Sequence, residues 1–196
     1  MKEHFDDEYV RKAQQKGYRS RAVFKLEEIQ QKDHLIKPGM VVVDLGAAPG
    51  GWCQYAHEIL GKNGRIVGMD ILPIEPMDGV ELLEGDFREQ AVMDELLDTL
   101  NGQAVDLVIS DMAPNISGQS AVDQPRAIYL CELALDFARQ VLKQNGDLLI
   151  KAFQGAGYPE LERSMRKDFN KIIVRKPKAS RARSREVYIL ARGFNL

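Results

Sequence analysis

The stretch VVVDLGAAPGGW, residues 41–52, decides the fold, and the rest of the chain is organised around it. Its first part is apolar and β-branched, which is typical of a parallel strand covered on both faces. Its second part, Gly46 to Gly51, predicts a tight turn that passes directly into a helix. Ligands of open α/β sheets bind outside the carboxyl ends of such strands. The glycine-rich turn is therefore the predicted ligand site.

The residues of this turn favour a cationic nucleoside over a dinucleotide as the ligand. The dinucleotide fingerprint G-x-G-x-x-G requires glycine where this chain has Ala48, and Pro49 lacks a backbone N–H for a pyrophosphate. Asp44, which precedes the first glycine by two residues, suits a positive charge. S-adenosylmethionine carries a sulfonium and an ammonium but no phosphate, and it is the predicted cofactor. A purely structural strand–turn–helix corner is the alternative that this stretch alone leaves open.

The composition indicates one globular domain with an ordinary core. The chain has 196 residues, of which 44% are hydrophobic and 29% are charged. No apolar run approaches the roughly 18 residues of a membrane span, and the first residues contain no apolar signal core. Only two cysteines occur, without C-x-x-C spacing, so we expect unpaired thiols and a cytoplasmic protein.

Charge is distributed unevenly along the chain, although the formal net charge is only −2. Residues 163–192 contain 11 Lys/Arg and 2 Asp/Glu, a net charge of +9, whereas the remaining chain contains 16 and 27, a net charge of −11. A second basic cluster lies between Arg11 and Lys25. Either cluster alone is usually a solvated surface, but two clusters in an otherwise acidic chain favour nucleic acid as a partner.

Hydrophobic patterning predicts an α/β fold that follows an amino-terminal helical segment. That segment covers residues 8–31, with Ser20 as a possible helix cap. After the first strand, strands are predicted at 64–70, 80–86, 106–111 and 146–153, and helices near 51–60, 88–100, 124–143 and 158–169. This alternation predicts a mostly parallel sheet with helices on both faces. Two last strands, near 171–176 and 186–192, have no helix between them, so we expect them to pair antiparallel at one edge.

Charged residues stand at or just after the ends of several predicted strands, namely Asp44, Asp70, Asp86, Asp111 and Lys151. The carboxyl ends of parallel strands meet at one edge of a sheet, so these side chains should converge. Asp70, about 20 residues after the turn, can accept hydrogen bonds from both ribose hydroxyls of an adenosine. Asp86 is placed to meet the adenine amino group. One Asp at a strand end is more often a helix cap or turn former, but their number favours a binding site.

The residues available for methyl transfer argue against a base carbon or a base amino group as the acceptor. Cys53 lies inside the turn and Cys131 in a predicted helix, and neither follows a proline at a strand end, where we would expect the nucleophile of a pyrimidine C5 methylase. After the fourth strand the sequence is DMAPN, residues 111–115, without the aromatic residue that would stack on a flipped base.

A ribose hydroxyl needs a group that takes its proton, and Lys151 is the candidate because it interrupts an apolar run. Burial beside a second cation, such as Lys25, favours the neutral amine, whereas an adjacent Asp111 favours the charged one. The protonation state therefore stays open at this point. The alternative is an ordinary strand-end lysine that reaches solvent past apolar neighbours.

An ordered set of motifs makes the chain resemble, almost end to end, the FtsJ-type ribosomal RNA large-subunit ribose 2′-O-methyltransferases. The motifs are RSRAVFKL at 19–26, DLGAAPGGW at 44–52, GDF at 85–87, SDMAPN at 110–115, KAFQG at 151–155 and SRARSREVY at 180–188. Each motif alone is only suggestive, but the ordered set is specific.

The resemblance implies a single Rossmann-like methyltransferase domain over residues 1–196, with a helical RNA-facing segment at 1–37 and the core at 38–196. It implies a catalytic set of Lys25, Asp111 and Lys151, with Glu186 as an accessory residue. The cofactor positions that it implies are Gly50, Trp52, Asp70, Asp86 and Asp111.

The activity implied by the resemblance is transfer of a methyl group from S-adenosylmethionine to a uridine 2′-hydroxyl of 23S ribosomal RNA. The implied substrate is the assembled large ribosomal subunit, and we expect a monomer without a membrane partner. We expect no catalytic metal, because methyl transfer from a sulfonium needs no Lewis acid and the histidines show no ligand spacing.

Two alternatives to this enzyme remain. One is a non-catalytic RNA-binding ribosome-assembly factor that keeps the fold, against which the intact Lys–Asp–Lys set argues. The other is a nicotinamide-dependent oxidoreductase, against which Ala48 and the lack of a Tyr-x-x-x-Lys arrangement argue.

Overall fold

The computed structural model describes residues 3–195, and its side chains are described for residues 8–195, so His4 lies outside the described side chains. The helices are α1 (Glu3–Gln15), α2 (Val23–Asp33), α3 (Gly51–Leu60), α4 (Gln90–Leu100), α5 (Ser120–Val141) and α6 (Tyr158–Asp168). The strands are β1 (Val41–Leu45), β2 (Arg65–Asp70), β3 (Glu81–Glu84), β4 (Val105–Ser110), β5 (Leu142–Phe153), β6 (Phe169–Arg175) and β7 (Glu186–Phe194).

The strands form one seven-stranded sheet in the order β3-β2-β1-β4-β5-β7-β6. Strands β1 to β5 are parallel, and the strand order reverses between β1, which pairs with β2 on one side, and β4 on the other. Strand β7 runs antiparallel to both β5 and β6. The predicted mostly parallel sheet with an antiparallel edge pair is confirmed, and the reversal point puts a crevice at the end of β1.

The sheet is covered on both faces, as predicted for a Rossmann-like fold. Alternate residues of β1 belong to opposite cores, with Val41 and Val43 on one side and Val42 on the other. The first core is closed by α4, α5 and α6, and the second by α2 and α3. All five residues of β1 are buried, which explains why that strand reads as a continuous apolar run apart from its aspartate.

Residues 8–31 are largely helical, as predicted, but two helices cover them, because α1 ends at Gln15 and α2 begins only at Val23. Gly17 has a φ of +75°, a conformation that ends a helix at little cost only for glycine. The hydroxyl of Ser20 accepts the N–H of Ala22 at 3.1 Å, but the residue before the helix is Ala22, so Ser20 is not the N-cap.

Tertiary contacts hold this break in place. The side chain of Gln54, in α3, accepts the backbone N–H of Arg19 at 2.9 Å and donates to the carbonyl of Gly17 at 3.1 Å. The connector over residues 16–22 is thereby docked beside the cofactor turn. Gly17 ends the helix, and Gln54, a residue of another helix, fixes the position of the connector.

The long helix α5 begins at Ser120, earlier than the predicted residue 124, because Asp123 closes its first turn. The carboxylate of Asp123 accepts the backbone N–H groups of Ser117 at 2.9 Å and Gly118 at 3.0 Å. Across residues 3–195, no helix has both the length and the apolar character needed to cross a bilayer.

Candidate active site

The turn after β1 is held against β2 by backbone hydrogen bonds. The N–H groups of Gly46 and Ala47 both donate to the carbonyl of Met69, at 2.9 and 3.0 Å. Gly46 has a φ of +77°, and a Cβ atom there would lie 2.7 Å from Cγ of Met112. Glycine is therefore required at this position for both its conformation and its lack of a side chain.

Asp70 connects the turn to the loop that follows β2. One carboxylate oxygen accepts the N–H of Ala48 at 2.9 Å, and the other accepts the N–H of Leu72 at 3.0 Å. Each carboxylate oxygen has a second lone pair, so both can also accept a ribose hydroxyl. Gly85, next to Asp86, donates to the Asp70 carbonyl at 2.9 Å, which places these two predicted cofactor positions on neighbouring strand ends.

Asp44 is fully buried beneath the turn, and only one of its carboxylate oxygens has a hydrogen-bond partner. Oδ2 accepts the thiol of Cys53 at 3.2 Å, whereas Oδ1 accepts no hydrogen bond. Burial raises the pKa of Asp44 to about 7, the Cys53 hydrogen bond opposes this rise, and the nearby charges of Asp111 and Asp70 add to it. A cation bound at the turn would relieve this unfavourable environment, so the residues present fit S-adenosylmethionine.

Two further predicted cofactor positions have partners within the protein. The guanidinium of Arg88 pairs with both oxygens of Asp86, the shortest contact being 2.6 Å, and these hydrogen bonds lower the pKa of Asp86. The indole N–H of Trp52 donates to the carbonyl of Ala22 at 2.8 Å, and its ring packs 5.8 Å from that of Tyr188. Trp52 therefore forms a wall of the crevice, and its only polar group, the indole N–H, is used in a hydrogen bond within the protein.

The crevice between the turn and β4 encloses only about 20 Å³ and is lined by residues of the turn together with Ser20, Trp52 and Asp111. Gly50, the remaining cofactor position, has a φ of +115° and precedes α3. A ligand the size of a nucleoside must therefore lie across the open edge of the sheet, where Asp70 and Asp86 stand.

Beside the turn, the structure brings together all four residues of the predicted catalytic set. Nζ of Lys151 lies 3.2 Å from Oδ1 of Asp111, and Nζ of Lys25 lies 2.8 Å from Oε1 of Glu186. The four side chains are between 9% and 17% exposed, so both ion pairs are largely shielded but reachable from solvent. They come from α2, β5, β7 and the end of β4, and only the tertiary fold unites them.

Tyr188 contacts one ion pair and lies close to the other. Its hydroxyl donates to Oδ1 of Asp111 at 2.6 Å, and in the register of β5 with β7 it stands opposite Lys151. Burial and the charges of Asp111 and Glu186 raise the pKa of Tyr188 well above its usual value, so this hydroxyl remains a donor. The sequence motif contained Tyr188 without a role, but the two-residue period of a strand puts it on the face of Glu186.

Glu186 is kept ionised by its partners. Burial alone would raise its pKa, but the hydrogen bond and charge of Lys25, the charge of Lys151 and a hydrogen bond from Ser180 together lower it. The Ser180 hydroxyl donates to Oε1 at 2.9 Å, and Nζ of Lys176 donates to the Glu186 backbone carbonyl. Ser180 and Lys176 are contacts that sequence reasoning did not find, since neither has a recognisable spacing from Glu186.

The basic carboxyl-terminal segment divides into structural and surface residues. Arg175 pairs with Asp33 at 2.6 Å, and Arg192 pairs with Asp147 at 3.1 Å, so these two arginines hold elements together. Those in the loop before β7, namely Arg181, Arg183 and Arg185, are exposed. Between this loop and α2 lies a cavity of about 380 Å³, lined by Arg21, Lys25, Arg181 and Glu186 among others. A basic cavity therefore opens directly onto the Lys25–Glu186 pair.

Within the described side chains of residues 8–195, no group of three or more His, Cys, Asp or Glu residues is arranged to hold a metal ion. Cys53 and Cys131 are both free and buried. Burial raises the pKa of the Cys131 thiol to about 12, more than the charge of Lys151 lowers it, so this thiol is inert as a nucleophile.

Comparison with known proteins finds relatives that match the full length of the chain. The relatives include two proteins called ribosomal RNA large subunit methyltransferase E. The one from Alkalilimnicola ehrlichii is 60% identical over the whole chain and 94% of its own length, and the one from Legionella pneumophila is 57% identical over the whole chain and 95% of its own length.

A solved structure and a family model extend this comparison. The crystal structure of a protein described as a ribosomal RNA methyltransferase from Plasmodium falciparum superposes with a TM-score of 0.80 at 27% identity, covering 90% of this chain and 98% of that one. The FtsJ-like methyltransferase model matches residues 18–194. With its cofactor turn, its acidic strand ends and its paired lysines in place, the chain belongs to the FtsJ-like methyltransferase family and is a methyltransferase.

Proposed function

We propose that the chain transfers a methyl group from S-adenosylmethionine to the 2′-hydroxyl of a uridine in 23S ribosomal RNA, on the assembled large ribosomal subunit. One observation carries the proposal: the Lys151–Asp111 and Lys25–Glu186 pairs lie together beside the glycine turn, and the Tyr188 hydroxyl donates to Asp111. The names of the relatives support the substrate class, since both refer to large-subunit ribosomal RNA.

The cofactor is held by the residues around the turn. Asp70 accepts the ribose hydroxyls, Asp86 accepts the adenine amino group, and Asp44 provides negative charge under the cationic end. The crevice walls include Trp52, residues 46–49 and Gly51, and Gly50 shapes the turn where the chain enters α3. S-adenosylmethionine supplies a methyl carbon made electrophilic by its sulfonium.

Lys151 acts as the base. In its neutral form, the Lys151 amine accepts the proton of the 2′-hydroxyl as that oxygen bonds to the methyl carbon and the bond from that carbon to sulfur breaks. The products are 2′-O-methyl RNA, S-adenosylhomocysteine and the Lys151 ammonium, which returns its proton to solvent before the next turnover. Asp111 orients the amine through a contact of 3.2 Å, and because its Oδ1 also accepts the Tyr188 hydroxyl, it is fixed in one rotamer. Much of the rate comes from this positioning of the reacting groups.

Lys25 positions the acceptor ribose. The amine of Lys25 has three N–H donors, of which one is committed to Glu186 at 2.8 Å. The remaining donors face the same pocket as the basic cavity, where an oxygen of the acceptor nucleotide can accept them. Without Glu186, Lys25 would lose the contact that orients its amine, so Glu186 acts indirectly.

The RNA binds along the cavity lined by Arg21 and Arg181 and the exposed arginine loop before β7. Residues 1–196 act as one methyltransferase domain, with residues 1–37 as the RNA-facing segment and 38–196 as the core. We place the protein in the cytoplasm as a monomer, where large ribosomal subunits are available to it.

The test is methyl transfer from labelled S-adenosylmethionine to large ribosomal subunits purified from cells that lack the protein. A 2′-O-methyl group blocks alkaline cleavage of the following phosphodiester, so the label should appear in an alkali-resistant dinucleotide with uridine on its 5′ side. Label on a base, which leaves alkaline cleavage intact, would contradict the ribose assignment. No transfer to subunits or to free ribosomal RNA would favour the assembly-factor alternative.

A further inference from the structure

Arg19, in the connector between α1 and α2, binds three backbone carbonyls from two other segments. Its Nη1 donates to Pro49 at 3.3 Å and to Glu75 at 2.6 Å, and its Nη2 donates to Pro76 at 2.9 Å. Its own backbone N–H donates to the Gln54 side chain at 2.9 Å. Three of the five guanidinium N–H donors are therefore committed to carbonyls of the protein.

The segments that Arg19 joins belong to different parts of the site. Pro49 lies in the glycine turn, and Glu75 and Pro76 lie in the loop that follows Asp70, the carboxylate assigned to the cofactor ribose. The connector itself leads into Ser20, which lines the cofactor crevice, and Arg21, which lines the basic cavity. One side chain thus connects the cofactor loop to the segment that faces RNA.

The acceptors in this arrangement are backbone carbonyls of two segments, a geometry that suits arginine better than lysine. A guanidinium presents N–H donors on two terminal nitrogens and can span carbonyls of two segments, whereas the ammonium of lysine is a single point. The surroundings of Gly50 are equally tight, since a Cβ atom there would lie 3.2 Å from Nη1 of Arg19. The guanidinium is packed into the turn, and most of it is withheld from a phosphate.

We propose that Arg19 is a positioning residue that couples the two ligands, so that cofactor seated on Asp70 orders the connector and thereby strengthens RNA binding. The proposal rests on the proposed function only in assuming that both ligands bind here. Coupling of this kind is reciprocal: the factor by which cofactor raises RNA affinity equals the factor by which RNA raises cofactor affinity.

The experiment measures the affinity of the protein for large ribosomal subunits with and without saturating S-adenosylhomocysteine, which cannot react. In the wild-type protein the ratio of the two dissociation constants should be about 5–100. In Arg19→Lys and Arg19→Met the ratio should fall to nearly 1, and S-adenosylhomocysteine affinity without subunits should fall in both. A ratio that stays at the wild-type value in both variants would overturn the proposal.

The salt dependence of binding to large subunits distinguishes two roles of Arg19: a clamp, which holds protein segments together, and a direct contact with an RNA phosphate. If Arg19 contacted RNA directly, Arg19→Met would reduce the slope of log affinity against log salt by about 1 and Arg19→Lys would not. For a clamp, neither variant changes the slope. A slope reduced in Arg19→Met, together with unchanged S-adenosylhomocysteine affinity, would assign Arg19 to the RNA and refute the coupling role.

Arg65→Lys is the matched control. Arg65 also clamps backbone carbonyls, those of Thr99 at 2.6 Å and Leu100 at 3.5 Å, but it lies at the start of β2, the opposite end from Asp70. Arg65→Lys should lower stability without changing the ratio of the dissociation constants for large subunits measured with and without S-adenosylhomocysteine.

A wild-type measurement keeps the proposal testable if the Arg19 variants do not fold. Hydrogen exchange with and without S-adenosylhomocysteine should show added protection both in residues 71–79 and in residues 16–22. Protection confined to 71–79, in a protein that still methylates large subunits, would refute the coupling while leaving the proposed function intact.

Discussion

Strands β4 and β5 hold a Lys–Asp pair at each end, and the two pairs have different surroundings. Near the amino end, Lys143 pairs with Asp106, and the lysine side chain is 52% exposed. At the carboxyl end, Lys151 pairs with Asp111, and the lysine side chain is only 9% exposed. The same two residue types on the same two strands therefore form a surface ion pair at one end and a shielded pair at the other.

The neighbours explain the difference between the pairs. The second oxygen of Asp106 accepts the backbone N–H of Val41 at 2.7 Å, so this pair ties the start of two strands together. Oδ1 of Asp111 is shared with the Tyr188 hydroxyl, and the charge of Lys151 reaches Glu186. Residue type alone does not make a catalytic site; burial and convergence with other strand ends do.

The largest expected effect comes from removing one lysine of each pair in turn. Lys151→Met should lower single-turnover methyl transfer by about 10²–10⁴, the range for loss of a positioned base, with cofactor affinity retained. Lys143→Met, on the same strand, should leave turnover unchanged and cost at most about 1 kcal/mol of stability. Equal losses of turnover in the two variants would contradict the distinction between the pairs.

Lys151→Arg distinguishes proton abstraction by Lys151 from an effect of its positive charge on the rate of methyl transfer. Arginine keeps the positive charge beside Asp111 but does not lose its proton near neutral pH, so a base role predicts a loss close to that of Lys151→Met. Single-turnover rates with saturating cofactor and subunits measure this without contributions from binding. A nearly active variant would instead mean that the lysine acts only through its charge and position.

Asp44 extends this comparison. It is buried and has only the Cys53 thiol as a hydrogen-bond partner, whereas Asp106 is paired with the cation of Lys143. Its pKa of about 7 in the folded state lies above the ordinary value, so the folded protein binds the proton more tightly than the unfolded chain. This contribution to stability is present at low pH and is lost as pH rises through about 7.

The stability of Asp44→Asn relative to the wild-type protein should therefore increase by on the order of 2–3 kcal/mol between pH 5 and pH 8. Denaturant unfolding at several pH values measures it, and S-adenosylmethionine binding should weaken in the variant. The control Asp106→Asn should show no such increase. If the difference in stability between Asp44→Asn and the wild-type protein did not change with pH, the raised pKa of Asp44 would be contradicted.

Asp70→Ala should weaken S-adenosylmethionine binding by on the order of 1–3 kcal/mol, because it removes the carboxylate that accepts the ribose hydroxyls. Calorimetry measures the loss of affinity, and NADH should show no binding in the same experiment. Asp106→Ala, at the opposite end of the sheet, should leave cofactor affinity unchanged. Wild-type affinity in Asp70→Ala would remove this residue from the cofactor site.

The smallest effect concerns the surface arginines before β7. Replacing Arg181, Arg183 and Arg185 with alanine should flatten the salt dependence of binding to large subunits by up to about 0.7–0.9 per lost phosphate contact. Cofactor affinity should stay the same. The structural Arg175, paired with Asp33, is the contrast, because Arg175→Ala should lower stability and not the slope. An unchanged slope in the triple variant would place the RNA elsewhere.

The sequence by itself determined the cofactor half of this protein. The strand, the turn and α3 follow one another between Val41 and Leu60, so their apolar run, glycines and spacing to Asp70 could be interpreted locally. The order of strands and helices was predicted for the same reason, since each element carries its own periodicity. The resemblance added the roles of Lys25 and Glu186, which no local pattern marked.

Only the tertiary structure decided how the proposed catalytic residues are brought together. Lys25 and Glu186 are separated by 161 positions but meet at 2.8 Å. The register of β7 against β5 puts Tyr188 opposite Lys151, and its hydroxyl donates to Asp111. The position of the connector and the contacts of Arg19 were likewise invisible, because they depend on Gln54 and on backbone carbonyls of other segments. Local patterns determine elements, whereas contacts between distant residues depend on how the whole sheet packs.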